Sequence, residues 1–241
     1  MPYCAFITCE HASNAVPPDV DLGLGDDALA SHAAWDPGAR EVATRLAERF
    51  GLACLLGEWT RALVDLNRSP DTAEAVPARL FGVDVPGNAA LDATSRAARI
   101  ESWHAPYWRR AAGWAEAALG RGERVYHLTV HSFVEVYEGR RREVDLGLLF
   151  DPGFALEARL ASQLRAGLDG AGLRVRDNEP WDGRADGIAT AFRHRFDRER
   201  YASLELELSQ RLLPELDRVV EVLARALAAT EPFSGRWSTP R

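Results

Sequence analysis

The chain has 241 residues, of which 46% are hydrophobic and 27% charged, and its formal net charge is −7. This acidic balance argues against a general nucleic-acid binder, which would show a basic face, and no apolar run approaches the length of a membrane span. The three cysteines show no CxxC spacing and the N-terminus no basic region before an apolar run, so we expect neither disulfides nor a signal peptide, and a cytoplasmic protein.

Predicted strands and helices alternate along the chain. Apolar, β-branched runs predict strands at residues 3–9, 52–56, 61–70, 124–132, 144–152, 173–176 and 201–209. Apolar residues at helical spacing predict helices at residues 36–50, 94–119, 154–168 and 216–227. Residues 70–92 and 178–187 are rich in Pro, Gly or polar residues and are predicted to be irregular.

Local signals refine this pattern. Asp36-Pro37 should open the first helix as its cap and first-turn proline, and Gly51 should end it. The run at 52–56 is typical of a strand buried on both faces, and Pro106 should kink or divide the long helix. The alternation predicts an α/β fold, a mixed, mostly parallel sheet flanked by helices on both faces. No repeat or linker is visible, so we expect a single domain of residues 1–241.

Polar residues concentrate just after the apolar strands, where open α/β sheets bind ligands. His11 and His131 each end a predicted strand, and imidazole is a common zinc ligand. A hydrogen bond at a strand end explains either histidine alone better than a metal does. The pair at one sheet edge makes a metal site an equal alternative.

Two further motifs carry charge. The guanidinium of Arg68, in "DLNR", matches a carboxylate in two-point geometry, and Asn67 adds an amide donor, although on spacing alone a salt-bridged loop ending is the better explanation. Glu205 and Glu207 share one face of the last strand. Two carboxylates there are costly unless that face is wet or paired, so it is either a solvent-facing edge or part of a site.

Six segments, in order, resemble the N-formylglutamate amidohydrolase family, in particular its predicted N-formylglutamate amidohydrolase branch. They are "CEHASN", "HAAWDPGA", "DLNRSP", "HSFVEVYEGRRREVDLGLLFDP", "DNEPWDG" and "LELELSQRLL", and the resemblance spans residues 6 to about 213. More distantly, the chain is similar to aspartoacylase, succinylglutamate desuccinylase and the zinc carboxypeptidases. The resemblance therefore implies a zinc-carboxypeptidase-like (phosphorylase/hydrolase-like) fold.

The resemblance also implies roles for particular residues. It implies one zinc ion held by His11, Asn14 and His131. It implies a substrate carboxylate held by Asn67 and Arg68, with help from Arg140 unless residues 140–142 are a solvated basic run. It implies Glu207 as the general base. The distant relatives have glutamate where this chain has Asn14, and an amide oxygen is a weaker zinc donor, so Asp36 and Glu10 are alternative ligands.

The predicted function is metal-dependent hydrolysis of the amide bond of a small N-acyl amino acid that carries a carboxylate. The named candidate is N-formyl-L-glutamate, with formate and L-glutamate as products. Two alternatives stay open: the same hydrolysis on another N-acyl substrate, and a metal-free small-anion binding protein, which Asn14 favours. Neither nucleic acid nor a membrane is an expected partner, and the oligomeric state is left open.

Overall fold

The structure, a computed structural model, describes residues 2–233 and the backbone of residues 237 and 238. Its strands are β1 (Tyr3–Cys9), β2 (Ala53–Leu56), β3 (Arg79–Leu80), β4 (Val83–Asp84), β5 (Arg124–Phe133), β6 (Val136–Tyr137), β7 (Arg140–Arg141), β8 (Leu146–Leu149), β9 (Val175–Asp177), β10 (Tyr201–Ser209) and β11 (Trp237–Ser238). Its α-helices are α1 (Asp26–Ala30), α2 (Ala39–Phe50), α3 (Pro86–Ala89), α4 (Ala93–Arg99), α5 (Ala105–Gly120), α6 (Ala155–Leu168), α7 (Ile188–Arg195) and α8 (Leu216–Ala228).

Seven of these strands form the main sheet, in the order β11–β1–β5–β10–β8–β9, with β2 also paired to β1. All neighbours are parallel except β10 and β8. Because β1, β5 and β10 are adjacent and parallel, their carboxyl ends lie at one edge of the sheet. In register, Glu207 of β10 is opposite His131 of β5.

Helices cover both faces of this sheet. On one face, α2, α6 and α8 form a core with Leu204, Leu206 and Leu208 of β10. On the other face, α5 and α7 pack against residues that include Phe6 and Tyr201. The predicted fold class, a mostly parallel sheet flanked by helices on both faces, is therefore confirmed. The alternation along β10 puts its two glutamates on the α5 and α7 side.

The start of α2 differs from the prediction. The helix begins at Ala39, with Gly38 at its N-cap position and φ of 83°, so Asp36 does not cap it. A Cβ on Gly38 would lie 2.2 Å from the Leu213 side chain, which makes glycine necessary for this turn. The turn releases the Asp36 carboxylate from the helix. The end of α2 is as expected, because Gly51 has the left-handed conformation.

The other differences concern chain segments with weak local signals. The predicted long helix is divided by a π-helical turn, Ile100–His104, and Pro106 lies in the first turn of α5, where a missing N–H is tolerated. Residues 61–70 are irregular rather than a strand, and α7 was not predicted. The residues of β2 are half-buried rather than fully buried, because it pairs with β1 at the sheet edge. Within residues 2–233, no helix is long and apolar enough to cross a membrane.

Candidate metal centre and active site

Two histidines and one aspartate converge at the carboxyl-terminal edge of the sheet. His11 follows β1, His131 lies in β5, and Asp36 precedes α2. Asp36 Oδ2 lies 3.2 Å from His11 Nδ1 and 2.9 Å from His131 Nδ1, and the two Nδ1 atoms are 3.2 Å apart. All three residues are buried. One ligand atom from each lies within 4.8 Å of the others, so together they could hold a metal ion.

The Nε2 atom of each imidazole lies beside a second buried carboxylate. His11 Nε2 donates to Asp65 Oδ1 (2.7 Å), and His131 Nε2 lies 3.0 Å from Glu10 Oε2. The Tyr107 hydroxyl donates to the other oxygen of Glu10 (3.0 Å) and so fixes this carboxylate. When the imidazoles are neutral, such partners favour a proton on Nε2 and leave Nδ1 as a lone-pair donor, as is usual for metal-ligating histidines.

Arg61 lies between the two aspartates. Its Nη2 donates to Asp65 Oδ2 (2.8 Å), and its Nη1 lies 3.5 Å from Asp36 Oδ1. Burial acts to raise the pKa of both carboxyl groups, but the charges of His11 and Arg61 outweigh it and hold each pKa well below its usual value. Both aspartates are therefore ionised at neutral pH.

These carboxylates make the group attractive to positive charge. Burial acts to lower the pKa of His131, but its contacts with Asp36 and Glu10 outweigh burial and raise that pKa well above its usual value. His32 behaves differently although its Nδ1 lies 3.3 Å from Asp36 Oδ1. Burial lowers the pKa of His32 to about 4, so it is neutral at pH 7.

A cavity of about 130 Å³ opens beside this group, and both Asn67 and Arg68 line it. Asn67 Oδ1 accepts from the backbone N–H of Ile188 (3.1 Å), while Nδ2 lies 3.4 Å from His131 Nε2. Arg68 Nη1 donates to the carbonyls of Asn67 (2.6 Å) and Asp186 (3.1 Å). Its Nε and Nη2 have no hydrogen bond to a residue that the structure describes, and such a guanidinium can bind a carboxylate.

Glu205 and Glu207 also line the cavity. Glu205 Oε2 accepts from the Thr129 hydroxyl (3.3 Å), whereas Glu207 Oε2 is buried without a hydrogen-bond partner in the described part of the chain. Burial raises the pKa of Glu207 well above its usual value; His131 opposes the rise and the charge of Glu205 adds to it. Buried polar atoms are nearly always paired, so this carboxylate indicates a functional position.

Asn14, a predicted ligand, lies away from the two histidines. Its Nδ2 donates to the carbonyl of Leu29 in α1 (3.0 Å), and it does not line the cavity. The carboxylate beside both Nδ1 atoms is Asp36, one of the two alternatives considered from the sequence. In the group that could hold a metal ion, Asp36 stands where Asn14 was expected, because the chain after His11 carries the Asn14 side chain to α1.

Arg140 also lies outside the cavity. It is exposed in β7, paired in register with Tyr137. The arginine beside the cavity wall is Arg142, whose guanidinium carbon lies 4.4 Å from the ring centre of Trp181 and 4.7 Å from that of Tyr137. Trp181 lines the cavity. The basic run was found from the sequence, but the hairpin decides which of its members approaches the site.

Three buried residues around the cavity were not selected from the sequence. Asp65 had a signal, since it belongs to the same "DLNR" motif as Arg68, and Arg61 precedes it by four residues. Arg193 had none, because α7 was not recognised as a helix. His11, His131, Asn67, Arg68 and Glu207 are brought together as the sequence indicated. Their individual roles stay predictions.

Known proteins were compared with this chain. A family model described as N-formylglutamate amidohydrolase matches residues 4–213. The crystal structure of gene product Atu2144 from Agrobacterium tumefaciens is 34% identical, with a TM-score of 0.81 over 93% of this chain and 90% of that chain. The crystal structure of N-formylglutamate amidohydrolase from Ralstonia eutropha JMP134 is 19% identical, with a TM-score of 0.71 over 95% of this chain and 94% of that chain. No curated protein matches significantly.

The weight of these comparisons differs. The 19% identity of the second structure shows the shared fold alone. The family model covers most of the chain, including both histidines, Asp36 and Glu207. The family predicted from the six sequence segments is therefore confirmed: the chain belongs to the N-formylglutamate amidohydrolase family and is an amidohydrolase.

Proposed function

We propose that this amidohydrolase cleaves the amide bond of a small N-acyl amino acid with one metal ion held by His11, Asp36 and His131. The observation that carries the proposal is the convergence of two imidazole nitrogens and one carboxylate oxygen, 2.9–3.2 Å apart, beside a cavity. Zinc is the first candidate, because catalytic zinc sites use three nitrogen or oxygen ligands and keep a fourth position open.

The donor set fits a cation. Because the Nε2 atoms lie beside carboxylates, neutral imidazoles keep their protons there, and the Nδ1 lone pairs of His11 and His131 lie 3.2 Å apart, close to Asp36 Oδ2. Lone pairs this close repel each other unless they share a positive charge. Asp36 Oδ1 is also buried without a hydrogen bond to a described residue. Without a metal, a proton on His131, whose pKa is raised, supplies this charge. A metal ion would replace that proton.

Glu207 is the general base in this proposal. The bound ion would supply Lewis-acid chemistry, which polarises an amide carbonyl and makes water a stronger nucleophile. The charge of that ion would also lower the raised pKa of Glu207 and so favour its carboxylate form. The unpartnered Oε2 of this carboxylate then takes a proton from the water that attacks the carbonyl carbon. The same oxygen gives this proton to the amine nitrogen as the C–N bond breaks. The products are a carboxylic acid and a free amino acid.

Arg68 binds the substrate carboxylate in this proposal, with Asn67 beside it. Arg68 Nη1 is held by two backbone carbonyls, which leaves Nε and Nη2 for two-point contact. Arg140 is not included because it is exposed outside the cavity. The family and the small cavity make N-formyl-L-glutamate the first candidate substrate, with formate and L-glutamate as products.

The test combines metal analysis with an assay of formate release. Protein purified without chelator should contain about one metal ion per chain and release formate from N-formyl-L-glutamate, and removal of the metal should stop the reaction until zinc is restored. Full activity after complete metal removal would contradict the metal. Failure of the metal-loaded protein on the N-formyl, N-acetyl and N-succinyl derivatives of L-glutamate would contradict this hydrolysis, whereas preference for another acyl group would correct the substrate.

The metal-free anion-binding alternative loses its main support. It depended on Asn14 in place of an acidic ligand. In the structure the acidic side chain beside both histidines is Asp36, which comes from a different part of the chain.

A further inference from the structure

Residues 178–187, the 178–187 loop, form one wall of the cavity. The loop connects β9 to α7 without regular secondary structure, and six of its residues line the cavity. Its position therefore decides the shape of the cavity. The contacts that hold the middle of the loop come from residues that the proposed chemistry does not use.

A buried ion pair lies under this loop. Glu157 of α6 and Arg193 of α7 are 0% and 2% exposed, and Arg193 Nε lies 2.9 Å from both carboxylate oxygens of Glu157. Glu157 also accepts hydrogen bonds from the backbone N–H groups of Asp151 (2.9 Å) and Ser203 (3.1 Å). The carboxylate is thus tied to α7, to β10 and to the segment after β8.

The other end of Arg193 holds the middle of the loop. Its Nη1 donates to the Gly183 carbonyl (3.0 Å) and to the Thr190 hydroxyl (3.0 Å). Thr190 in turn donates to the Ala185 carbonyl (2.7 Å). Gly183 packs so closely that a Cβ there would lie 2.2 Å from the backbone nitrogen of Phe150. The middle of the loop is therefore held between α7 and the end of β8.

The end of the loop next to α7 contacts Arg68, the proposed carboxylate-binding residue, and its neighbour Ser69. Asp186 Oδ2 accepts from the Ser69 backbone N–H (2.9 Å), and the Ser69 hydroxyl donates to the other carboxylate oxygen. The Asp186 carbonyl accepts from Arg68 Nη1 (3.1 Å). Contacts therefore run without a break from Glu157 through Arg193 and the loop to Arg68.

Stability alone does not account for the charges of this pair. The cost of removing two charges from water can exceed their mutual attraction, and replacing a buried pair by neutral groups of similar volume is often neutral or stabilising. A pair with specific geometry can instead fix the positions of the segments it joins. The hydrogen bonds of this pair join α6, α7, β10 and the loop, and they do not involve His11, Asp36 or His131.

We propose that Glu157 and Arg193 are positioning residues for substrate binding. The pair sets the 178–187 loop, and through Asp186 the loop sets the guanidinium of Arg68. The inference rests on the proposed function for its substrate, but the position of the loop can be measured without substrate. Loss of the pair should raise KM for a carboxylate substrate and leave kcat nearly unchanged, because none of the pair's hydrogen bonds reaches Glu207 or a proposed metal ligand.

The main test is the double variant E157Q/R193M. Glutamine keeps a carbonyl acceptor for one of the two backbone N–H groups, methionine fills the space of the arginine stem, and no unpaired charge stays buried. We expect amide hydrogen exchange in the 178–187 loop to become roughly tenfold faster or more, with unchanged metal content. KM for N-formyl-L-glutamate should rise about tenfold or more, with kcat within about threefold of the wild type.

Two single variants and one control complete the test. R193K keeps the charge but not the fork, and T190V removes the contact with Ala185 while the ion pair stays; both should accelerate loop exchange by less than the double variant. If the double variant does not fold, R193K and T190V test the proposal in its place. D145N weakens a comparably buried carboxylate that is paired with Arg174 outside the cavity, and it should leave loop exchange and KM unchanged.

Wild-type loop exchange in E157Q/R193M, or in both single variants if the double variant is unfolded, would overturn the proposal. A lower kcat at an unchanged KM would do the same. A wild-type protein that hydrolyses no substrate would refute the proposed function only, because the loop-exchange result would still decide whether the pair positions the loop.

Discussion

The two ends of β10 carry buried polar side chains of different kinds on one face. At its start, the Tyr201 hydroxyl lies 2.8 Å from His127 Nδ1, and the Ser203 hydroxyl donates to Glu157 (2.9 Å). Near its end, Glu207 Oε2 has no hydrogen-bond partner in the described part of the chain. Burial alone therefore does not mark a functional group. A buried acid left unpaired in a cavity wall does, because folded proteins rarely tolerate one otherwise.

The two histidines of β5 repeat the comparison. His127 lies between two hydroxyl groups, 2.7 Å from Thr8 and 2.8 Å from Tyr201, and burial lowers its pKa to about 4. His131 lies among carboxylates, which outweigh burial and raise its pKa well above the usual value. The same side chain is thus a neutral structural group at one end of the strand and part of a cation-attracting group at the other.

The largest effect is expected when a proposed metal ligand is removed. His11→Ala should lose both the metal and all measurable hydrolysis, because it removes one of the three proposed ligands and the partner of Asp65. Metal analysis and formate release measure both. His127→Gln, which changes the other histidine of β5, is the matched control and should keep the metal. Retained activity in metal-free His11→Ala protein would contradict the proposed role of the metal.

The next effect concerns the unpaired acid. Glu207→Gln should keep the fold and metal but lower kcat by roughly 10²–10⁴-fold, the usual contribution of general acid–base catalysis. Glu205→Gln is the control on the same face. Glu205 lies about 7 Å farther back along the strand and is bonded to Thr129, so its loss should have much less effect. The assignment is wrong if Glu205→Gln stops turnover and Glu207→Gln does not.

A smaller effect is expected for Arg68, which lines the cavity. Arg68→Lys keeps the charge but loses the fork, so KM for N-formyl-L-glutamate should rise roughly 10–100-fold. Steady-state kinetics with a neutral amide analogue that lacks the carboxylate should show little change. An unchanged KM for the charged substrate would leave Arg68 with its structural bonds to Asn67 and Asp186 only.

The smallest effect is expected for His127, which lies at the end of β5 away from the site. The folded-state pKa of His127, about 4, lies below its usual value of 6.5, so between these pH values the unfolded chain binds a proton that the folded chain does not. The stability from neutral His127 is present above about pH 6.5 and is lost as the pH falls towards 4, in total about 3 kcal/mol.

Chemical denaturation between pH 7 and pH 4 measures this dependence. His127→Gln should be less stable at pH 7 but should lose less stability on acidification. The exposed His194 offers a control, and His194→Gln should keep the wild-type slope. Equal slopes for all three proteins would show that His127 does not contribute.

The comparison also explains what could be predicted from the sequence. Strand alternation placed Glu207 on the correct face, and strand ends placed His11 and His131 together, because both follow from the geometry of a parallel sheet. Asn14 and Arg140 came from the family resemblance, and the structure places both outside the cavity, because the direction of a side chain in a loop or a hairpin does not follow from its position in a motif. Asp36 was read as a helix cap because the left-handed turn at Gly38 has no signal in the periodicity of the helix.

The order of the site residues along the chain has a consequence for synthesis. His11, Asp36, Arg68 and His131 precede β10, which carries the proposed base and begins at Tyr201. A chain released by the ribosome before residue 201 would thus contain all three proposed metal ligands but not the proposed catalytic carboxylate. It would also leave one edge of β5 open along the nine residue pairs that β10 normally makes with it. Such an edge is a template for aggregation, so incomplete chains of this protein should be insoluble rather than partly active.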